Sequence, residues 1–279
     1  MYSRISRFGQ IRIYTGKCIR LYFYEKQWKN LLSTAIIMGI ICMVTGKDMF
    51  ISYTDTNNGG FAIICACIWV GLFNSIRSIC KERGIIKREH RTGLHISSFV
   101  IAHVIFETLQ CLAEALIITA FIYVKYYDNM PEHGIIFPVC VELYLTFFLV
   151  LVCSDVLGIM ISSIVKDENS AMTVMPFVLI IQLVMSGAVF PLEGIAKKVS
   201  ALTVSRWGLD AVGSIAYLNP SLEDSIRLQE QLTQEVIELD HWDPTASNIL
   251  FLWGIILLFI AIYILISILF LEGIDRDKR

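Results

Sequence analysis

The chain has 279 residues, of which 56% are apolar and 17% are charged, and its mean hydropathy is +0.64. Soluble globular proteins carry about 25% charged residues and about 45 to 50% apolar ones. Here the apolar residues lie in long runs bounded by charge clusters, so the composition excludes a soluble enzyme and predicts several membrane-spanning helices. The formal net charge is only -2, which gives no basic field for nucleic acid, and no such partner is expected.

The N-terminal segment, residues 1–30, mixes basic and aromatic side chains. This composition is typical of an amphipathic helix that lies at the cytoplasmic face of a membrane. We expect no signal peptide, because the segment has no apolar core and no small-residue cleavage site.

Six apolar segments follow, each close to or longer than the roughly 20 residues that cross a bilayer. They cover residues 31–49, 60–80, 97–124, 135–165, 171–192 and 246–271. The unbroken part of the first segment ends at Thr45, whereas the third and fourth segments exceed one bilayer thickness and should tilt or break. The sequence therefore predicts an all-α integral membrane protein with six transmembrane helices, an external loop at 193–245 and a tail at 272–279.

Lysine and arginine are concentrated in residues 1–30, in the connection between the second and third segments, and in the tail. Because cytoplasmic loops carry the excess of positive charge, both termini are predicted to be cytoplasmic in a plasma-membrane protein. The eight cysteines lie within or beside apolar segments, which argues against a disulfide-linked outer domain. In the acidic external loop, Asn219-Pro220-Ser221 predicts the start of an amphipathic helix.

The third segment carries four polar residues, His103, Glu107, Gln110 and Glu114. At about 100° per residue they fall on one narrow side of a helix. Because ionisable groups are costly in a bilayer, this side should contact protein or water. Two interpretations stay open: a hydrogen-bonded polar seam between helices, or a metal-binding or proton-relaying pair formed by His103 and Glu107.

Two further carboxylates, Glu142 and Asp155, lie in the fourth segment but on different sides of a helix. They are not predicted to share a site, and one or both are expected to mark a helix end or a break. The sequence contains neither a phosphate-binding P-loop nor an H-E-x-x-H zinc motif. We therefore expect this chain to bind no nucleotide or catalytic zinc itself.

Three groups of short motifs occur in order between about residues 60 and 216. The groups are Phe73-Asn74-Ser75 with Glu82-Arg83, Glu89 and Gly93; Gly158, Ser162, Asn169, Ala171 and Pro176 with Ser186-Gly187 and Phe190-Pro191; and Ser205-Arg206-Trp207-Gly208-Leu209-Asp210-Ala211. In this order they resemble the membrane subunits of the type 2 ATP-binding cassette (ABC) exporters, and in particular the G subfamily.

The resemblance implies a six-helix membrane domain with short re-entrant external helices before the last span. It implies a dimer with a second permease chain, identical or related, powered by two ABC ATPase subunits that bind ATP and Mg²⁺, while this chain binds no cofactor. Because residues 1–30 are too few for an ATPase domain, we expect the ATPase to be a separate chain. A cytosolic coupling helix would contact it through Glu82, Arg83, Lys87, Glu89 and Arg91.

The same resemblance places the translocation pathway at the dimer interface, between the second and fifth helices. Its predicted lining and outer gate are Phe73, Asn74, Met175, Leu179, Gln182, Met185 and Phe190. This mostly apolar lining suits an amphipathic or lipid-like cargo. Glu107 would belong to the polar relay, although Thr108 stands where family members often have proline. The absence of cysteine from the last outer loop suits a bacterial protein.

Two other classes of protein remain as alternatives. An ion-coupled secondary transporter would use His103, Glu107 and Glu114 as a proton path and would be expected to show an internal repeat, which is not visible. An intramembrane enzyme built on His103 and Glu107 would need further ligands at the same depth, and the sequence offers no convincing set.

Overall fold

The computed structural model describes residues 6–190, 192, 194–233 and 242–273. Within these residues the fold is all-helical, as predicted, and contains no strand. The helices are α1 (Arg7–Tyr24), α2 (Lys29–Val44), α3 (Tyr53–Ser75), α4 (Arg83–Arg91), α5 (Ile96–Tyr126), α6 (Val139–Ile164), α7 (Glu168–Val184), α8 (Gly194–Ser200), α9 (Val204–Ala216), α10 (Pro220–Thr233) and α11 (Ala246–Glu272). Most of the predicted tail and part of the external loop, residues 274–279 and 234–241, lie outside the described residues.

Four helical stretches are long and apolar enough to cross a membrane: α3 continuing into α4, α5 with its final turn, α6 and α11. Helices α1 and α2 meet at 68° and would form a fifth span if counted as one broken helix. Helix α7 is apolar but has only 17 residues, or about 26 Å at 1.5 Å per residue, which is less than the hydrocarbon thickness. By length and composition, the described residues thus contain four candidate spans, or five if the bent pair is counted as one.

The centre of the bundle is a close crossing of α3 and α6. A Cβ atom added at Gly71 would lie 2.8 Å from the Cβ of Ser154, and one added at Gly158 would overlap the Oγ of Ser75. That hydroxyl donates to the carbonyl oxygen of Asp155 at 2.7 Å. The small residues Gly71 and Ser75 on α3 and Ser154 and Gly158 on α6 are spaced four apart, and they allow the two backbones to approach this closely.

The segment predicted to be an external loop contains helices α8, α9 and α10. Helix α10 begins where Asn219-Pro220-Ser221 predicts, because the Oδ1 of Asn219 accepts the backbone N–H of Ser221 at 3.1 Å. On one side of this helix Leu222 and Ile226 are buried, and the hydroxyl of Ser225 accepts a hydrogen bond from the backbone N–H of Tyr53 at the start of α3. Helix α10 therefore packs on the end of the bundle.

Asp167 caps the N-terminus of helix α7 with an ionisable side chain, so this cap can be tested by changing the pH. The carboxylate of Asp167 accepts the backbone N–H of Ser170 at 2.8 Å and its hydroxyl at 2.9 Å, and these bonds hold the pKa of Asp167 below its ordinary value. A carboxyl group with a lowered pKa stabilises the folded state above its unfolded pKa, and this contribution is lost as the pH falls through its folded pKa.

We expect the Ser170 amide to lose protection from hydrogen exchange below about pH 4. The variant Asp167→Asn keeps a capping oxygen and should show no such loss. Equal acid sensitivity of the two proteins at this amide would contradict the assignment.

Candidate functional site

Helices α1 and α4 are joined by a set of polar contacts at one end of the bundle, which we call the α1–α4 clasp. The Nζ of Lys17 lies 2.7 Å from the Oε2 of Glu82, and the hydroxyl of Tyr14 donates to the Oε2 of Glu89 at 2.6 Å. The Gln10 side chain adds two hydrogen bonds to the backbone just beyond α4. The two predicted coupling carboxylates therefore face α1.

The predicted coupling residue Arg83 ties α4 to the end of α6. Its Nη1 donates to the carbonyl oxygens of Ser163 at 3.0 Å and Val165 at 2.7 Å. Lys87 is half-buried and Arg91 is exposed, and both make interactions of their own. Helix α4 is thus held from two sides, by α1 and by α6.

The polar residues predicted on one side of α5 are all buried. His103 lies against α1, with the Sγ of Cys18 3.9 Å from its ring nitrogens. Glu114 faces the bundle, and its Oε1 accepts the Nε2–H of Gln110 at 3.0 Å. Glu107 is buried between these two levels. This polar side of α5 faces protein, because ionisable groups are costly in contact with lipid. Its four residues nevertheless contact different neighbours.

Helices α3 and α6 complete this buried polar cluster. The Nδ2 of Asn74 donates to the Oε1 of Glu114 at 2.9 Å, and the Oδ1 of Asn74 accepts from Asn30 at 3.1 Å. From α6, the Oδ2 of Asp155 accepts the thiol of Cys111 at 2.6 Å. The Oε2 of Glu114 and the Oδ1 of Asp155 are buried with no hydrogen-bond partner among the described residues.

Glu142 and Asp155 do not share a site, as their spacing predicts. The carboxylate of Glu142 accepts the backbone N–H groups of residues 135–137 at 2.5 to 3.1 Å and so marks the start of α6. Across the described ranges, no group of three or more histidine, cysteine or acidic residues has an arrangement that could hold a metal ion. The hydrogen bonds in the cluster fit a polar seam between helices.

Removing the acceptor at Glu114 should destabilise the bundle. In Glu114→Ala, the amides of Asn74 and Gln110 lose their buried acceptor, and we expect a loss of about 2 to 3 kcal/mol in the free energy of unfolding. Glu114→Gln keeps an oxygen at this position and should lose less than half as much. Equal unfolding midpoints for the alanine and glutamine variants, measured in mild detergent, would show that these bonds contribute little.

The predicted pathway residues of α7 lie on its buried side. Met175, Leu179 and Gln182 are all buried, and the Oε1 of Gln182 accepts the backbone N–H of Ser205 in α9 at 3.1 Å. The opposite side of α7 is exposed and apolar, with Phe177, Ile180 and Ile181.

The other predicted pathway residues are more accessible. Phe73 on α3 and Phe190 beyond α7 are exposed, and Met185 is half-buried. Phe73 and Asn74 also belong to a groove of about 220 Å³ between α2 and α3. The groove is lined by Asn30, Ser33, Thr34, Ile37, Trp69, Val70, Phe73 and Asn74.

The described residues form an all-helical bundle with four or five apolar candidate spans, the architecture of a membrane-embedded protein. Residues 10–217, most of the chain, match the family described as ABC-2 type transporter. The chain belongs to this family, and residues 10–217 are an ABC-2 transporter membrane domain. The predicted resemblance to the membrane subunits of type 2 ABC transporters is therefore confirmed.

A similar protein is the ABC transporter ATP-binding/permease protein Rv1747 of Mycobacterium tuberculosis. It is 24% identical over 258 residues, which cover 88% of this chain and 29% of the relative. The chain therefore spans less than a third of the length of this relative.

Proposed function

We propose that the chain is the permease subunit of an ATP-driven exporter of the ABC class. The observation that carries this proposal is the family match over residues 10–217. In addition, contacts from α1 and α6 hold helix α4 at one end of the bundle. A helix fixed from two sides can transmit a push from a bound ATPase to α1, α5 and α6. The Mycobacterium tuberculosis relative is named as an ATP-binding/permease protein, which supports an ATPase partner for this chain.

The proposed complex contains two permease chains and two ABC ATPase subunits, with ATP and Mg²⁺ bound by the ATPase and no cofactor bound by this chain. Glu82, Arg83, Lys87, Glu89 and Arg91 would form or position the surface that receives the ATPase. The complex would lie in the cell membrane with both termini of this chain in the cytoplasm, as the lysine and arginine distribution supports.

Six spans are proposed for this chain, formed by α2, α3, α5, α6, α7 and α11. Helices α2 and α7 are short, and a locally thinned bilayer or their flanking residues would complete the crossing. Helix α1 would lie at the cytoplasmic interface, because its exposed side carries Phe8, Ile13 and Phe23 together with Arg12 and Arg20. Helices α8 and α9 would form the external re-entrant part.

The translocation pathway is proposed to lie between two permease chains, along α3 and α7. These neighbouring helices expose Trp69, Phe73, Phe177 and Ile180, an apolar surface suited to a second membrane chain or to cargo. Met175, Leu179 and Gln182 would form the layer behind this surface, and Met185 and Phe190 would lie at its outer end. Movement of α7 against α9 would then change which of these residues meet the pathway.

Cross-linking and co-purification test this proposal. The tagged full chain, purified in mild detergent, should retain an ABC ATPase in about equal amount, identified by mass spectrometry. A cysteine introduced as Ile180→Cys should cross-link to a second permease chain, and Leu258→Cys on the exposed side of α11 serves as the matched control. A chain that purifies alone and cross-links equally from both positions would contradict the proposal.

A further inference from the structure

We propose that the groove between α2 and α3 binds an amphiphile with a positively charged, hydrogen-bond-donating head and an apolar tail. This inference rests on the proposed function, because it names a class of cargo or allosteric ligand for the permease. The groove has a polar part, formed by Asn30, Ser33, Thr34 and Asn74, and an apolar part with two aromatic rings.

The amide hydrogen bonds leave an acceptor in the groove. The Oε1 of Glu114 can only accept the bond from Asn74, so the Nδ2 of Asn74 faces Glu114 and its Oδ1 faces Asn30. Asn30 must then donate through its Nδ2, which leaves its Oδ1 as the remaining carbonyl acceptor. These amide orientations are assigned from the hydrogen bonds, which link the groove to the buried polar cluster.

The hydroxyl groups in the groove also present acceptors. The Oγ of Ser33 donates to the carbonyl oxygen of Lys29 at 3.3 Å, and the Oγ1 of Thr34 donates to that of Asn30 at 3.1 Å. Each hydroxyl has a single proton, so both donors are used and only lone pairs remain. Thr34 is buried, so the accessible acceptors are the Oγ of Ser33 and the Oδ1 of Asn30, and these favour a ligand that donates hydrogen bonds.

The aromatic rings favour a positive charge on the ligand. Trp69 is 51% exposed and Phe73 is 42% exposed, and both line the groove. The guanidinium of Arg77 already lies 6.0 Å from the ring centroid of Phe73, so this ring presents a face to a cation. Ile37 and Val70 supply apolar contacts for a tail.

An anionic head fits this groove poorly. No lysine or arginine is among the eight described residues that line it, and its available oxygens would repel a carboxylate or phosphate. Arg77 lies beside the groove and would attract an anion but compete with a cation for Phe73. Substitution of Arg77 therefore distinguishes the two kinds of head group.

The probes are n-octylammonium and octanoate, titrated calorimetrically against the full chain in nanodiscs, with empty nanodiscs as the blank. We expect saturable binding of octylammonium that is tighter than that of octanoate. Phe73→Leu should weaken octylammonium binding about tenfold, because it removes the ring and keeps an apolar side chain. Arg77→Gln should strengthen it several-fold, and Met43→Ala, on an exposed part of α2 outside the groove, should leave it unchanged.

Tighter binding of octanoate, weakened by Arg77→Gln, would overturn the proposal. Saturable binding of neither probe, or octylammonium binding that does not respond to Phe73→Leu, would also overturn it. The assay needs no ATPase, so a failure here alongside a co-purifying ABC ATPase would leave the permease function intact. Specific binding by a chain that recruits no ATPase would instead contradict the permease function alone.

Discussion

Replacement of Gly71 by leucine is expected to disrupt the packing of α3 on α6 and to lower the free energy of unfolding by about 3 kcal/mol or more. Even a Cβ atom at this position would lie 2.9 Å from the carbonyl oxygen of Leu151 and 3.0 Å from the backbone nitrogen of Asp155. These are backbone atoms in the middle of α6, so they cannot rotate away. The two helices would have to separate along their whole contact.

The effect of Gly71→Leu can be measured as the thermal midpoint and the monodisperse fraction of the purified chain in mild detergent. Gly254→Ala is the matched control, because a Cβ atom added at Gly254 in α11 meets nothing within 4 Å. Since alanine favours a helix by about 1 kcal/mol over glycine, this control should be neutral or stabilising. A Gly71→Leu variant as stable as the control would contradict the close crossing.

Removal of both carboxylates of the α1–α4 clasp is expected to have the largest effect on transport. In the double variant Glu82→Ala with Glu89→Ala, α4 loses its contacts with Lys17 and Tyr14 but keeps those of Gln10 and Arg83. Its orientation toward an ATPase is therefore less firmly fixed. We expect ATP-driven transport to fall at least about tenfold, the equivalent of 1.4 kcal/mol of coupling. Membrane insertion should be unchanged, because both carboxylates lie at the end of the bundle.

A second pair of substitutions separates the two ways in which these carboxylates could act. Tyr14→Phe with Lys17→Gln removes the α1 partners but leaves Glu82 and Glu89 in place. If the carboxylates position α4, this pair should reduce transport as strongly as the double alanine variant. If they touch the ATPase directly, transport should survive.

The control for both experiments removes two carboxylates from helix α10, in Glu223→Ala with Asp224→Ala. Transport by this variant should match that of the unchanged protein. Unchanged transport in Glu82→Ala with Glu89→Ala would contradict a role for the clasp in coupling.

Most of the long helices could be predicted, because each corresponds to an apolar run of about the length that crosses a bilayer. The residues at which the helices begin and end could not be predicted from these runs. Helix α3 begins at Tyr53, before the apolar run at 60–80, because polar residues in its first turns find tertiary partners. The Nδ2 of Asn57, for example, donates to the carbonyl oxygen of Ala188 at 3.3 Å. Helix α2 ends at Val44, where the carbonyl of Thr45 accepts a hydrogen bond from Lys125 instead of continuing the helix.

Only those parts of the candidate site that depend on residue spacing within a single helix could be predicted from the sequence. The polar side of α5 follows from the spacing of His103, Glu107 and Glu114, and these residues are buried. The bond between Cys111 and Asp155 joins two helices, and no periodicity within either helix encodes it. For the same reason the family resemblance identified Glu82 and Glu89 as ATPase-coupling residues but not their partners on α1.

The most direct test of the permease function is the energy source for transport by the purified complex in liposomes. We expect ATP hydrolysis that is inhibited by vanadate, and transport that requires ATP and persists when the proton gradient is collapsed. Transport by the chain alone, driven by a proton gradient and lost in Glu107→Gln, would contradict it. That result would identify an ion-coupled carrier that uses the polar side of α5.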